Sequence, residues 1–230
     1  MTADADPPRA ASSWRLAQQL GDALPSTADI ADTQSLELVA QVRELSDAVV
    51  LTDIDPSDRA LIASELAGIT ARLRARQRVD GPLLARRADG MLEHLTNAGS
   101  GRLNPHAVQV EFVDLPAAPS PGSEPRSVEV YARCMFSAAH AGSPSRVHGG
   151  VVTIVLDEVL GMAATVSGAS GMTAELTVRF RAGTPYGVPV DATARLTHHD
   201  GRKSYATGEL RVDGLVTAEA TALFIAERST

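Results

Sequence analysis

Apolar residues recur at helical spacing in the first part of the chain. They lie three or four residues apart in two segments on either side of Asp55-Pro56-Ser57-Asp58, namely Leu38, Val42, Leu45, Val49 and Ile62, Leu66, Ile69, Leu73. This spacing predicts two amphipathic helices joined by a short capped turn. We expect their apolar faces to pack on the rest of the chain or across a subunit interface, with docking of a separate partner as the alternative.

The segments around this helical hairpin predict less regular structure. Residues 1–32 are rich in Ala, Ser, Pro and Asp, which is typical of a flexible tail. A short helix is predicted from Leu83 to Leu95, and the loop from Asn97 to Arg102 marks a boundary. We therefore interpret residues 33–100 as a helical extension that precedes a separate domain.

From Asn104 onward the hydrophobic period changes to two. Val108, Val110 and Phe112 alternate with polar residues, and further strands are predicted at residues 128–136, 174–180, 188–197, 204–212 and 215–225. The dipeptide Asp200-Gly201 between two of these strands is a strong signal for a hairpin turn.

One long apolar segment interrupts the strands between Arg146 and Met162, and its apolar residues cover nearly the whole circumference of a helix. Such a helix is expected to be buried. Asp157 and Glu158 lie in its middle, and a buried carboxylate is costly unless it is paired, protonated or used in chemistry. At the helix start, Gly149 and Gly150 leave backbone N–H groups open where the helix dipole is positive, so a negative oxygen can bind there.

The order of elements predicts the fold class. Two strands, one long buried helix and then four strands in hairpin succession give an antiparallel sheet wrapped around a central helix, which is the hotdog arrangement. The predicted class is therefore α+β, with a hotdog domain at residues 104–230 and an N-terminal helical extension.

Composition narrows the possible partners. The formal charge of −7 and the 3% aromatic content disfavour nucleic-acid binding. Cys134 is the single cysteine, no apolar leader occurs at the N-terminus, and no later segment offers about 18 apolar residues without charge. We expect a cytoplasmic protein without a membrane span. No metal is expected, because His198 and His199 are adjacent in a predicted strand and point to opposite faces.

Several motifs carry a family resemblance. The segment Gly142–Gly150, which contains His148-Gly149-Gly150, leads to an aspartate nine residues after the histidine. Together with Thr173–Phe180, Gly201–Lys203 and Glu219–Phe224, these residues resemble the PaaI-like hotdog acyl-CoA thioesterases over residues 104–230. The first 103 residues lie outside this resemblance.

The resemblance implies hydrolysis of an acyl-CoA thioester without a cofactor. Asp157 would act as general base or nucleophile, and the backbone N–H of Gly149 would stabilise the oxyanion. His148 would position the thioester, and Thr173 would orient the water or the carboxylate. Arg202 and Lys203 match positions near the coenzyme A nucleotide. The family also implies a homodimer with sites between subunits, with a tetramer as a further possibility.

Each assignment has an alternative. Glu158 is the rival carboxylate, and since neighbouring helix residues point about 100° apart, only one of the two can face a given site. His148 can be a helix-capping residue, Thr173 a surface residue on the polar side of its strand, and the pair Arg202 and Lys203 a solvated turn.

The resemblance also has a departure and leaves other functions open. Many relatives carry an asparagine six residues before the histidine, where this chain has Gly142. Two functions besides hydrolysis remain, a noncatalytic acyl-CoA sensor and a hotdog enoyl-CoA hydratase or dehydratase.

Overall fold

The computed structural model describes residues 24–78, 83–88, 90–116, 119 and 123–227. The N-terminal elements are α1 Thr27–Ile30, α2 Thr33–Leu51, α3 Pro56–Arg74, β1 Leu84–Arg86 and β2 Leu92–His94. Then follow β3 Val110–Val113, β4 Glu129–Met135, a single 3-10 turn at Ala138–His140, β5 Ala141–Ser143, β6 Arg146–Val147 and α4 Gly149–Val166. The last four strands are β7 Met172–Phe180, β8 Pro189–Asp200, β9 Lys203–Val212 and β10 Leu215–Ile225.

Six of the strands form one antiparallel sheet in the order β3-β4-β8-β9-β10-β7. The sheet wraps around α4, which contacts β8, β9, β10, β4 and β7. The predicted hotdog arrangement is therefore confirmed. Its topology places β7, the strand that directly follows the central helix, at one edge of the sheet.

The core lies between the inner face of the sheet and one side of α4. Alternate residues of β4 and β8 are buried, as period two requires, and they meet the buried helix residues Val152, Val155, Leu156, Val159 and Leu160. Fully burying each such side chain contributes about 1.5–3 kcal/mol relative to exposure. This packing fixes the rotation of α4 about its axis, and with it the directions of Asp157 and Glu158.

The helix α4 is not buried all round. Ile154 is 41% exposed, and Gly150, Asp157 and Gly161 lie on the same open flank, none of them fully buried. The expectation of a wholly buried helix is corrected in this respect. By length and hydropathy α4 would also qualify as a membrane span, but the sheet packs around it, so that property is weak evidence for one.

Two predictions for the N-terminal part are wrong. The segment from Leu83 to Leu95 is not a helix but contains the hairpin β1–β2, whose turn includes Gly90 at φ +84°. Residues 24–32 of the predicted tail are structured, because α1 packs with Ala31 against Ala85 and Leu95 in a small second core. Residues 1–23, including the rest of that tail, lie outside the described residues.

The two predicted helices are present, but their apolar faces are less covered than expected. Helix α2 contacts the 3-10 turn at Ala138–His140, and its buried residue is Val39 rather than Leu38, which is 47% exposed. Helix α3 has no buried residue. Within the described chain, the face of Ile62, Ile69 and Leu73 stays open to solvent.

Candidate active site

His148 is the N-cap residue of α4. Its Nδ1 accepts a hydrogen bond of 3.0 Å from the Gly150 N–H, and its own N–H donates to the carbonyl of His140 at 2.9 Å. A neutral ring with an acceptor at Nδ1 carries its proton on Nε2. The side chain is exposed, so the capping interpretation and the thioester-positioning interpretation are compatible: one nitrogen caps the helix and the other can donate to a ligand.

Gly149 occupies the first position of α4, where backbone N–H groups have no partner within the helix. Among the described residues its N–H has no acceptor. A Cβ at this position would lie 3.1 Å from Cζ of Phe180, so the exposed ring at the end of β7 lies directly over this glycine and a side chain here would make the ring shift slightly. The unpaired donor sits at the positive end of a helix of 18 residues, which suits a developing oxyanion.

Asp157 lies on the open flank of α4 and accepts a hydrogen bond of 3.0 Å from Oγ1 of Thr173 on β7. The contact depends on a β-bulge. Phe224 and Leu223 are consecutive on β10 but pair with Thr173 and Glu175, so Ala174 is an extra residue on β7. The bulge turns Thr173 to the same side as the buried Phe224, which brings its hydroxyl to the carboxylate.

Glu158 points away from this site. Its Oε2 accepts a hydrogen bond of 2.7 Å from Ser100 Oγ in the loop that follows β2. Burial raises the pKa of Glu158, and hydrogen bonds from Ser100 and Asn97 partly offset that rise. Gly99 packs directly on the side chain, since a Cβ there would lie 2.3 Å from Cγ of Glu158. The two carboxylates thus occupy different environments, and Asp157 is the one beside Thr173.

Gly142 departs from the family pattern for a steric reason. A Cβ at this position would lie 2.5 Å from Cα of His148. The turn from Ala138 to Ser143 runs so close to the helix start that a side chain does not fit. No residue at this position can therefore contact the carbonyl group of a ligand in this arrangement.

Arg202 and Lys203 lie at the β8–β9 turn, and both are exposed. The Nε of Arg202 donates to the carbonyl of Ala226 at 2.8 Å, and the Ala226 N–H donates back to the carbonyl of Arg202. Arg202 thus fastens the chain after β10 to this turn. A role of this pair in binding phosphate stays a prediction.

Three contacts of the site were not predicted from the sequence. They are the ring of Phe180 over Gly149, the loop of Asn97 and Ser100 on Glu158, and the carbonyl of His140 under His148. A local signal existed only for His140, which forms a capping box with Ser137 three residues earlier. The other two join residues far apart in the chain.

The described side chains of this site include neither a cluster of metal-ligand residues nor an exposed thiol. No group of three or more His, Cys, Asp or Glu side chains that could hold a metal occurs among the residues described. Burial raises the pKa of Cys134 to about 12, with Asp191 adding to the shift, and the thiol lies inside the β4 core.

Comparisons with known proteins agree with this geometry. In this chain an antiparallel sheet wraps around a central helix that presents an open aspartate and a free N-terminal N–H. Residues 145–223 match the family model of the thioesterase superfamily. A solved thioesterase superfamily protein is 28% identical, with a TM-score of 0.67 over 87% of this chain and 97% of that chain. The resemblance stated from the motifs is thereby confirmed: the sheet-and-helix domain is similar to proteins of the thioesterase superfamily.

A curated relative is similar over a shorter stretch. The acyl-coenzyme A thioesterase THEM4 of Xenopus laevis is 34% identical over 96 residues, which is 40% of this chain. The aligned region spans 43% of that relative's length.

Proposed function

We propose that this protein hydrolyses acyl-CoA thioesters to a free acid and coenzyme A. The observation that carries the proposal is that helix α4 presents both an open carboxylate, Asp157 held by Thr173, and an unpaired backbone donor at Gly149. The similarity to an acyl-coenzyme A thioesterase supports the choice of substrate class.

The chemistry follows from these two groups. In the general-base route, Asp157 takes a proton from water as the water oxygen attacks the thioester carbon. The carbonyl oxygen becomes an oxyanion that the Gly149 N–H stabilises, and loss of one such donor costs about 2.7–4 kcal/mol in related sites. The C–S bond then breaks, and the thiolate takes the proton back from Asp157. In the nucleophilic route, Asp157 attacks the carbon itself, the C–S bond breaks with release of the coenzyme A thiolate, and water hydrolyses the resulting mixed anhydride to the free acid and Asp157.

The spacing along α4 favours a homodimer. Gly149 and Asp157 are eight residues apart on one helix, so they are separated by about 12 Å along its axis. The Gly149 N–H must lie roughly 3 Å from the carbonyl oxygen, and Asp157 must reach the carbon of the same carbonyl either directly or through one water. In a homodimer, the Asp157 of one copy can lie beside the Gly149 of the other, so that both groups reach the same carbonyl. The same interface covers exposed apolar side chains, namely Ile154, Met172 and Phe180.

The direct test compares two isosteric variants. Asp157→Asn is expected to lower kcat for thiol release from acyl-CoA by at least about a hundredfold, because an amide is neither a base nor an anionic nucleophile. Glu158→Gln is the matched control, and it should retain most activity, since a glutamine oxygen still accepts from Ser100. Thermal melts and acyl-CoA binding should stay close to wild type in both.

The opposite pattern, with Glu158→Gln inactive and Asp157→Asn nearly normal, would refute the assignment. The same assay also separates the alternative functions. Loss of enoyl absorbance without thiol release would indicate a hydratase, and binding without turnover would indicate a sensor.

A further inference from the structure

A short series of hydrogen bonds links helix α2 of the N-terminal extension to the start of α4. Asp47 on α2 accepts a hydrogen bond of 2.9 Å from the N–H of Ala139, in the 3-10 turn before β5. The carbonyl of His140, the next residue of that turn, accepts a hydrogen bond of 2.9 Å from the N–H of His148. His148 is the N-cap that directly precedes Gly149, so Asp47 is connected to the proposed oxyanion donor through this one turn.

This connection has little freedom to move. Gly142, in β5 directly after the turn, lies so close to His148 that a Cβ on the glycine would be 2.5 Å from the His148 Cα. Inside the turn, the Nδ1 of His140 accepts a hydrogen bond of 3.0 Å from the Ser137 N–H, and its ring packs edge-on against Phe136. A displacement of the turn is therefore transmitted to the helix start, because the packing leaves no space to absorb it.

Helix α2 is itself held in place where it meets the turn. Arg43, one helical turn before Asp47, donates a hydrogen bond of 2.8 Å to the carbonyl of Asn104. Residues four apart lie on the same face of a helix, so Arg43 and Asp47 attach one face of α2 to two separate parts of the chain. Asn104 is also held, because its side-chain amide donates to the carbonyls of Thr96 and Asn97. The carboxylate of Asp47 thus has a defined position from which it orients the turn.

We infer that Asp47 is a positioning residue for the reaction and that it acts through the turn on the Gly149 N–H. The inference rests on the proposed function and adds a requirement for α2, which lies outside the residues 145–223 that match the family model. An oxyanion donor must lie about 2.7–3.1 Å from the oxygen, so a small displacement of the helix start weakens it. Because this contact strengthens in the transition state, its loss lowers kcat more than it changes KM.

Thiol-release kinetics with acyl-CoA test this role in three variants of α2. Asp47→Ala removes the acceptor, and we expect kcat to fall at least about tenfold while KM changes less than about threefold. Asp47→Asn keeps an oxygen that accepts from the Ala139 N–H and should retain kcat within about threefold of wild type. Glu44→Ala removes an exposed carboxylate on the same helix and should change neither constant.

A purely structural contribution of Asp47 predicts a different result. It would lower Tm and the amount of folded protein, but kcat per folded subunit would stay at the wild-type value in Asp47→Ala. That outcome would overturn the inference and leave the proposed function standing. Equal losses of kcat in Asp47→Asn and Asp47→Ala would overturn it as well, since the amide still accepts the hydrogen bond.

Amide hydrogen exchange measures the coupling independently of activity. If the wild type releases no thiol from any acyl-CoA, the proposed function fails, but the positioning of the helix start by Asp47 can still be tested. We expect Asp47→Ala to speed exchange at the N–H groups of Ala139 and His148 at least about tenfold relative to Glu44→Ala, with the paired strands β8 and β9 unchanged. Unchanged exchange at His148 would show that the helix start does not depend on Asp47, and it would refute the inference.

Discussion

The position of His148 depends on the absence of a side chain at Gly142. A Cβ on Gly142 would lie only 2.5 Å from Cα of His148, so the turn from Ala138 to Ser143 tolerates only hydrogen at this point. The glycine thus sets the distance between the turn and the helix.

Restoring the family residue should therefore harm the protein. We expect Gly142→Asn to destabilise the fold by about 1–3 kcal/mol, as overpacking does, and to lower kcat rather than add a carbonyl-binding group. A thermal melt and thiol-release kinetics measure the two effects. Ser143→Asn, one residue later and exposed, is the control. A Gly142→Asn variant that melts like wild type with higher kcat would show that the turn can move.

Thr173 illustrates what a sequence pattern can and cannot predict about a site. Strict alternation assigns it to the polar face of β7 with Glu175 and Thr177, which makes it an ordinary surface residue. The bulge at Ala174 reverses its direction, and a bulge depends on pairing with β10, about fifty residues later in the chain. One helix and its N-cap present His148, Gly149 and Asp157. These three candidates could therefore be identified from the sequence of a single segment.

At the scale of elements, helix α2 supports the turn from Ala138 to Ser143 that precedes the start of α4. Asp47 accepts a hydrogen bond of 2.9 Å from the Ala139 N–H, and Arg43 donates to the carbonyl of Asn104 at 2.8 Å. His140, in the same turn, accepts from the Ser137 N–H and packs edge-on against Phe136. The N-terminal extension therefore contributes to the geometry of the helix start although it carries no catalytic group.

This turn should make stability depend on pH. Burial lowers the pKa of His140, and Arg43 and His106 act in the same direction, while Asp47 opposes them. Because the folded pKa lies below the ordinary value of 6.5, the unfolded chain takes up the proton first as pH falls. The stabilisation is complete above pH 6.5 and is lost as pH decreases toward the folded pKa.

We expect Tm to fall by about a few degrees between pH 7.5 and pH 5.5, and His140→Gln to reduce this dependence. Glutamine keeps the capping-box acceptor but does not titrate. Some dependence should remain, because burial also lowers the pKa of His94. Differential scanning at several pH values checks this, and an unchanged slope in His140→Gln would contradict it.

The sequence predicted element types well where the hydrophobic period was long and poorly where segments were short. Ten or more residues of regular period identified α2, α3, α4 and the long strands. The three-residue strands β1 and β2 contain too few positions to show a period, and their pairing is fixed by the small core around Leu95 and Ala85. Burial of the helix faces depended on tertiary packing that no local pattern encodes.

At the scale of the whole molecule, the shared site can be tested by mixing subunits. Asp157→Asn lacks the carboxylate, and Gly149→Pro lacks the N–H while proline remains acceptable at the first helical position. Each variant alone should be inactive. After joint unfolding and refolding, half of the dimers are mixed, and each mixed dimer has one intact site of two, so about a quarter of wild-type activity should return.

Native mass spectrometry of the mixture confirms that mixed dimers have formed. A mixture that contains them and stays inactive would show that Gly149 and Asp157 act within one subunit. As a control, Asp157→Asn is unfolded and refolded alone, and the activity of this sample is subtracted from that of the mixture.

The position of β10 also has a consequence for synthesis on the ribosome. Strand β7 directly follows the central helix in the chain and is therefore synthesised early. Its partner in the sheet is β10, which begins only at Leu215. Until β10 has emerged, β7 has no partner within its own chain and β9 has only β8. The nascent domain therefore exposes a nine-residue strand with free N–H and C=O groups while residues 181–225 are synthesised, when pairing with a neighbouring nascent chain is the competing reaction.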